Sequence, residues 1–185
     1  MPAGPSALTV NEAPIMMRRT RICSLAAFAA LLLIPPSGFA QAPDPTDVAT
    51  GANIFHKKAD CQTCHGWAGD GRKMDSQVAD GANLRETKLD RANVVMTIKC
   101  GRPPSGMPAF DKFAYSDGRC YGLKQADIKT PKLAMPDPPA TLQAREIEYV
   151  ADFLFAKVIG QGSMDHAKCV AYWGADVEVC SEFAK

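Results

Sequence analysis

The chain has 185 residues, of which 46% are hydrophobic and 22% charged, enough for one compact domain plus a terminal targeting segment and too little for two full domains. Its formal charge is +1, and removing residues 1–40 takes away three basic groups and one acidic group, leaving 18 against 19. A balance this close to neutral lacks the concentrated Lys and Arg excess that nucleic-acid binding requires, so any electrostatic steering has to come from local patches.

Arg18, Arg19 and Arg21 precede an apolar run from Ser24 to Ile34, which is followed by Pro35, Pro36 and Gly38-Phe39-Ala40. A basic stretch, a short apolar core and small residues make a secretory signal peptide, cut near Ala40, and place the mature protein in the periplasm. The run falls short of the roughly 20 apolar residues of a spanning helix, so no stable membrane insertion is expected after cleavage. Residues 1–15 fit neither a signal nor a domain, which points to Met16 or Met17 as the start of translation. Cys23 stands at the beginning of the apolar run rather than just after it, where a lipidated cysteine belongs, and leaves with the signal.

Residues 41–46 form a polar, proline-bearing lead-in, and 47–58 read as a helix capped by Thr46 or Asp47. On it Gly51 and Phe55 share a face, a small gap beside a large ring where something can pack closely. Cys61-Gln62-Thr63-Cys64-His65 follows at once. In this pattern two thiols add to the vinyl groups of haem while the adjacent histidine binds the iron. One motif means one covalent haem c, held by Cys61 and Cys64 with His65 on the metal. A thioredoxin-like pair belongs in an alternating strand and helix chain, and a zinc knuckle needs further ligands at ligand spacing. Neither context is present.

Beyond the motif, 66–81 are rich in Gly and Asp and read as loop, whereas 90–99 carry Val94, Val95 and Ile98 and read as a short helix ending before Gly101. Residues 111–140 hold Tyr115, Cys120 and Tyr121 and then Pro131, Pro136, Pro138 and Pro139. So long a stretch inside a domain is expected to be an ordered excursion that shapes a docking face, shields a haem edge or simply packs. From 142 to 159, Ile147, Val150, Phe153, Leu154 and Val158 recur at helical spacing with Tyr149 alongside, a partner for the Gly51 and Phe55 face. The tail, 160–185, carries Cys169, Tyr172, Trp173 and Cys180, and a disulfide there makes a small aromatic lobe against the domain.

Six cysteines remain after signal cleavage, and the four outside the motif are expected to pair in an oxidising compartment. Three connectivities are open. Short closed loops form most easily, which favours Cys100 with Cys120 and Cys169 with Cys180 over links between the tail and the middle of the domain.

A CxxCH motif just after an N-terminal Gly/Phe helix, a middle helix, a Met-Pro loop and an amphipathic final helix together resemble the class I c-type cytochromes over 47–159. The resemblance implies an all-α helical bundle around one haem and single-electron transfer with His and Met as axial ligands. Two Met-Pro sequences compete for the second place: Gly106-Met107-Pro108-Ala109-Phe110 after the middle helix, and Ala134-Met135-Pro136-Asp137-Pro138 before the last one. Small bacterial relatives often run from the middle helix through a Gly-rich turn into the first kind; others place the loop just before the final helix. A Cys100 to Cys120 bridge would hold the Met107 loop at both ends, which favours Met107 and leaves Met135 as the alternative. Met74, Met96 and Met164 read as flexible fillers or surface groups, and His56 and His166 as surface histidines.

Lys57, Lys58, Arg72, Lys73, Lys99 and Arg102 lie near the motif or the middle helix, while Asp165, Asp176, Glu178 and Glu182 lie in the tail. A basic rim at the haem edge would steer an acidic partner, although charge runs are more often just solvated surface. The expected role is an electron carrier rather than an enzyme, working between a periplasmic dehydrogenase and an oxidase or another cytochrome. A fixed subunit of a dehydrogenase complex is the alternative, and a haem sensor or enzyme with an open iron site is a third.

Overall fold

The computed structural model describes residues 42–73 and 76–183. The expected signal peptide, the Met16 or Met17 start, Cys23 and Met74 lie outside these residues. All that follows concerns the unit that begins at Ala42.

The first helix, α1 (Pro45–Asn53), starts two residues earlier than the sequence suggests, because Asp44 is the cap and accepts from the Thr46 N–H at 2.7 Å. Pro45 then occupies the first turn, where its missing N–H costs nothing and its fixed φ already suits a helix. The chain continues as a π-helical turn, Ile54–Lys58, whose wider ladder ends with the Ala59 and Cys61 N–H groups donating to the Ile54 and Phe55 carbonyls, each at 2.9 Å. This turn buries both Ile54 and Phe55. It leads directly into α2 (Gln62–His65).

After a loop and a 3-10 turn, Leu84–Glu86, comes α3 (Arg91–Cys100). Asp90 caps it by accepting from the Asn93 N–H at 2.8 Å, and Gly101 at φ 64 ends it in a conformation that only glycine adopts freely. The excursion contains a single turn, α4 (Gln125–Ile128). Then α5 (Ala144–Lys157) begins at a capping box in which the Gln143 N–H donates to Glu146 Oε2 at 2.9 Å.

Helices α1 and α5 cross where Gly51 meets Tyr149: a side chain at position 51 would collide with the Tyr149 carbonyl. The missing Cβ therefore sets how closely the two backbones approach, and Phe55 packs beside Phe153 with ring centroids 5.4 Å apart. Phe55, Ile147, Val150, Ala151, Phe153 and Leu154 are buried in the main core, with Val94 and Ile98 of α3 against them. Each large apolar side chain removed from water there contributes about 1.5–3 kcal/mol. At the rim, Lys58 meets Glu146 at 2.5 Å and Arg145 meets Asp47 at 2.7 Å.

A second, smaller core belongs to the excursion. Cys100, Ala114, Tyr115 and Cys120 are buried together, with Leu123, Ile128 and Met135 against them. The sulfurs of Cys100 and Cys120 lie at disulfide distance, Tyr115 Oη donates to the Cys100 carbonyl at 2.5 Å, and Tyr121 Oη donates to the Gly101 carbonyl at 2.9 Å. The excursion is ordered because it folds back on the end of α3.

The tail contains α6 (His166–Trp173) and a 3-10 turn, Glu178–Glu182. Cys169 and Cys180 lie at disulfide distance and form a third core with Phe183, against which Trp67 packs. Among the described residues there is no strand, only isolated bridges between Arg102 and Met107 and between Cys120 and Leu123. No described helix is long and apolar enough to cross a membrane.

Candidate haem site

The CxxCH segment occupies α2 and the residue before it, so Cys61 and Cys64 stand three apart on one helical turn and neighbour the same face. Neither is disulfide-bonded. Burial pushes the Cys61 thiol up to about 12, with Asp60 adding to it, and raises Cys64 as well. No group of three or more His, Cys, Asp or Glu side chains among the described residues could hold a metal ion.

His65 is fixed by its second nitrogen. The Ala82 carbonyl can only accept, so Nδ1–H donates to it at 2.9 Å and the lone pair of Nε2 is left for a metal, the arrangement that orients histidine ligands generally. Burial lowers the pKa of His65, with the Ala82 hydrogen bond partly offsetting it, so the ring is held neutral. Gly81, next to Ala82, donates to the Cys64 carbonyl at 3.2 Å, and a side chain there would run into that carbonyl. Glycine is what lets the 79–83 stretch of backbone come up against α2 and bring Ala82 to the ring.

The two candidate methionines are separated by the fold. Met107 packs against the main core alongside Cys61, Leu84 and Leu89, whereas Met135 packs against the core of the excursion. The Met107 loop is held where the Arg102 N–H donates to the Met107 carbonyl at 3.0 Å and the Phe110 N–H to the Ile98 carbonyl at 3.2 Å. A cleft of about 540 Å³ opens beside this loop between α3 and the excursion, lined by Leu89, Met96, Arg102, Tyr121 and Leu133 among others. Its lining does not include Cys61, Cys64 or His65.

Neither remaining histidine is fully exposed. His56 is half-buried between Gln62 and Tyr172, and burial lowers its pKa against a smaller opposing effect of Gln62. His166 lies 3.2 Å from Asp176 with its side chain 18% exposed. Of the six basic groups near the motif or the middle helix, four have acidic partners: Lys58 pairs with Glu146, Arg72 with Asp70, Lys73 with Asp80 and Lys99 with Asp111. Arg85 has no sequence signal at all. It is only 4% exposed, and its guanidinium donates to the carbonyls of Ala68, Gln161 and Gly162.

Among the described residues a helical fold without strands presents CxxCH with an oriented histidine, and with the family match that follows this makes the chain a c-type cytochrome, a haem-based electron-transfer protein whose haem c is held covalently. Residues 46–125 match the family model described as Cytochrome C oxidase, cbb3-type, subunit III. The match takes in the CxxCH motif and the Met107 loop and ends at the first residue of α4, leaving Met135, α5 and the tail outside it. No curated protein and no solved structure matches the chain.

Proposed function

We propose that the chain is an exported mono-haem electron carrier with His65 and Met107 as axial ligands, taking electrons from a periplasmic dehydrogenase and passing them to an oxidase or another cytochrome. The observation that carries this reading is the pairing of an imidazole whose Nε2 is kept free by Ala82 with a thioether packed on the same core as Cys61. Haem c, when bound, supplies an iron that takes up and releases a single electron. Cys61 and Cys64 would hold it through their sulfurs, and His65 would offer its Nε2 to the iron. The Met107 thioether would be the second protein ligand and would close the iron to small ligands, with Leu84 and Ile98 packed in or against the same core. The family match runs across the Met107 loop, in keeping with this choice. Export rests on the basic and apolar N-terminal pattern.

Absorption spectra of the haem-loaded protein, oxidised, reduced, and reduced with carbon monoxide, test this directly. The near-infrared thioether band is expected in the parent and in Met135→Ala and absent from Met107→Ala, which alone binds carbon monoxide rapidly. Loss of the band in Met135→Ala would reverse the assignment, and a rapid carbon monoxide response in the parent would mean an open iron site.

A fixed place in an oxidoreductase complex is the second reading, favoured by a match to a family described as an oxidase subunit. Migration of the native protein alone or with a larger assembly separates the two.

A further inference from the structure

The disulfide-distance pair of the tail, Cys169 and Cys180, lies wholly within the tail, so non-covalent contacts decide where this lobe sits. They converge on the haem-attachment segment from two sides. Upstream, Tyr172 Oη lies 2.5 Å from His56 Nε2, and His56 Nδ1 lies 3.0 Å from Gln62 Oε1. An amide oxygen only accepts, so Nδ1 carries the proton and Nε2 accepts from the phenol. Gln62 Nε2 donates back to the His56 carbonyl at 2.7 Å. Gln62 is the residue that follows Cys61 in the motif.

Downstream, the Tyr172 ring lies 5.1 Å from that of Trp67, the second residue past His65, and Trp173 and Phe183 stand 5.2 and 6.1 Å from the same indole. The next carbonyl, that of Ala68, accepts from the buried Arg85, whose other donors reach Gln161 and Gly162 at the root of the tail. Burial pushes the Tyr172 phenol up to about 12, so its proton stays available to His56 through the neutral range.

We propose that Tyr172 is a positioning residue for the haem-attachment segment: its hydroxyl, through His56 and Gln62, and its ring, against Trp67, grip the stretch bearing Cys61, Cys64 and His65 from both sides. The inference rests on the haem c reading above. A haem potential depends on burial and on hydrogen bonding around the site. Holding this segment closed keeps water from the attachment side and favours the reduced, less charged state.

The test uses the full haem-loaded protein, with the reduction potential measured by spectroelectrochemistry and amide exchange followed over 61–68. Tyr172→Phe keeps the ring and removes the hydroxyl, and is expected to lower the potential and speed exchange at 61–65 while 67–68 stay protected. Tyr172→Ala is expected to expose both halves. The hydroxyl effect should vanish in a His56→Phe background, since the two residues then no longer couple. An unchanged potential and exchange pattern in Tyr172→Phe, even with a lower melting temperature, overturns the proposal and leaves Tyr172 a packing residue. A parent protein that carries no haem overturns the haem c reading itself, and is recognised before any variant is made.

Discussion

The excursion and the tail use the same covalent device in opposite ways. Cys100 is the last residue of α3, so its bridge to Cys120 fastens the excursion to the domain and straddles the loop that carries Met107. Cys169 and Cys180 fasten the tail only to itself, and its hold on the domain comes from Tyr172, Trp67 and Arg85. The difference teaches that a disulfide can either set the placement of a segment or merely make it stiff enough for weak contacts to place it.

Removing each bridge should expose that difference. Cys100→Ala with Cys120→Ala opens a link across a separation of 20 residues, which is expected to cost about 3 kcal/mol in denaturant unfolding. It should also weaken the thioether band, since the Met107 loop is released with it. Cys169→Ala with Cys180→Ala spans only 11 residues and is expected to cost about half a kcal/mol less on loop entropy alone. That double variant should leave the band intact while speeding proteolysis of the tail. A thioether band equally weakened by both would erase the distinction.

Smaller changes sharpen it. Tyr115→Phe leaves the Cys100 carbonyl without its donor and is expected to lower stability by about 1 kcal/mol, with no effect on tail exchange. For the tail, pH is the finer probe. His56 has a lowered folded pKa, so its contribution is complete above the ordinary histidine value and declines as pH falls below it. Tyr172 has a raised one, about 12, so its contribution is complete below the ordinary phenol value and is lost as pH climbs towards that figure. Tail protection should therefore be greatest between roughly pH 6.5 and pH 10; the excursion, whose buried Tyr115 phenol is also raised, should share the alkaline loss but not the acid one. Smallest of all, Arg91→Ala removes exposed bridges to Glu148 and Asp152 and should change stability by less than about 1 kcal/mol, touching neither region.

The helices were legible where one face repeats: Gly51 with Phe55, and Ile147 through Val158, announce their contact by spacing alone. Cys61, Cys64 and His65 are legible because the chemistry is local to five residues. The cysteine pairings follow from short loop closure. Other features depend on contacts that no local pattern encodes. The Tyr172 to His56 bond joins residues 116 apart in sequence, and Arg85 stands in an irregular stretch with no periodicity to mark it as buried. The π-helical turn prolongs the first helix as a pattern would suggest but changes its ladder. Four of the basic groups expected near the motif, Lys58, Arg72, Lys73 and Lys99, have acidic partners in Glu146, Asp70, Asp80 and Asp111, a pairing that charge runs alone do not display.

The crossing of α1 on α5 also dictates an order of events. Gly51 must wait for Tyr149, roughly a hundred residues further along the chain, and closing so long a loop is slow compared with winding either helix. As the chain is delivered from its N-terminal side, Cys61 and Cys64 emerge well before the helix that completes the main core exists. Until α5 docks, Cys61 and Cys64 therefore belong to a chain whose main core is incomplete, and the arrival of α5 is what closes that core.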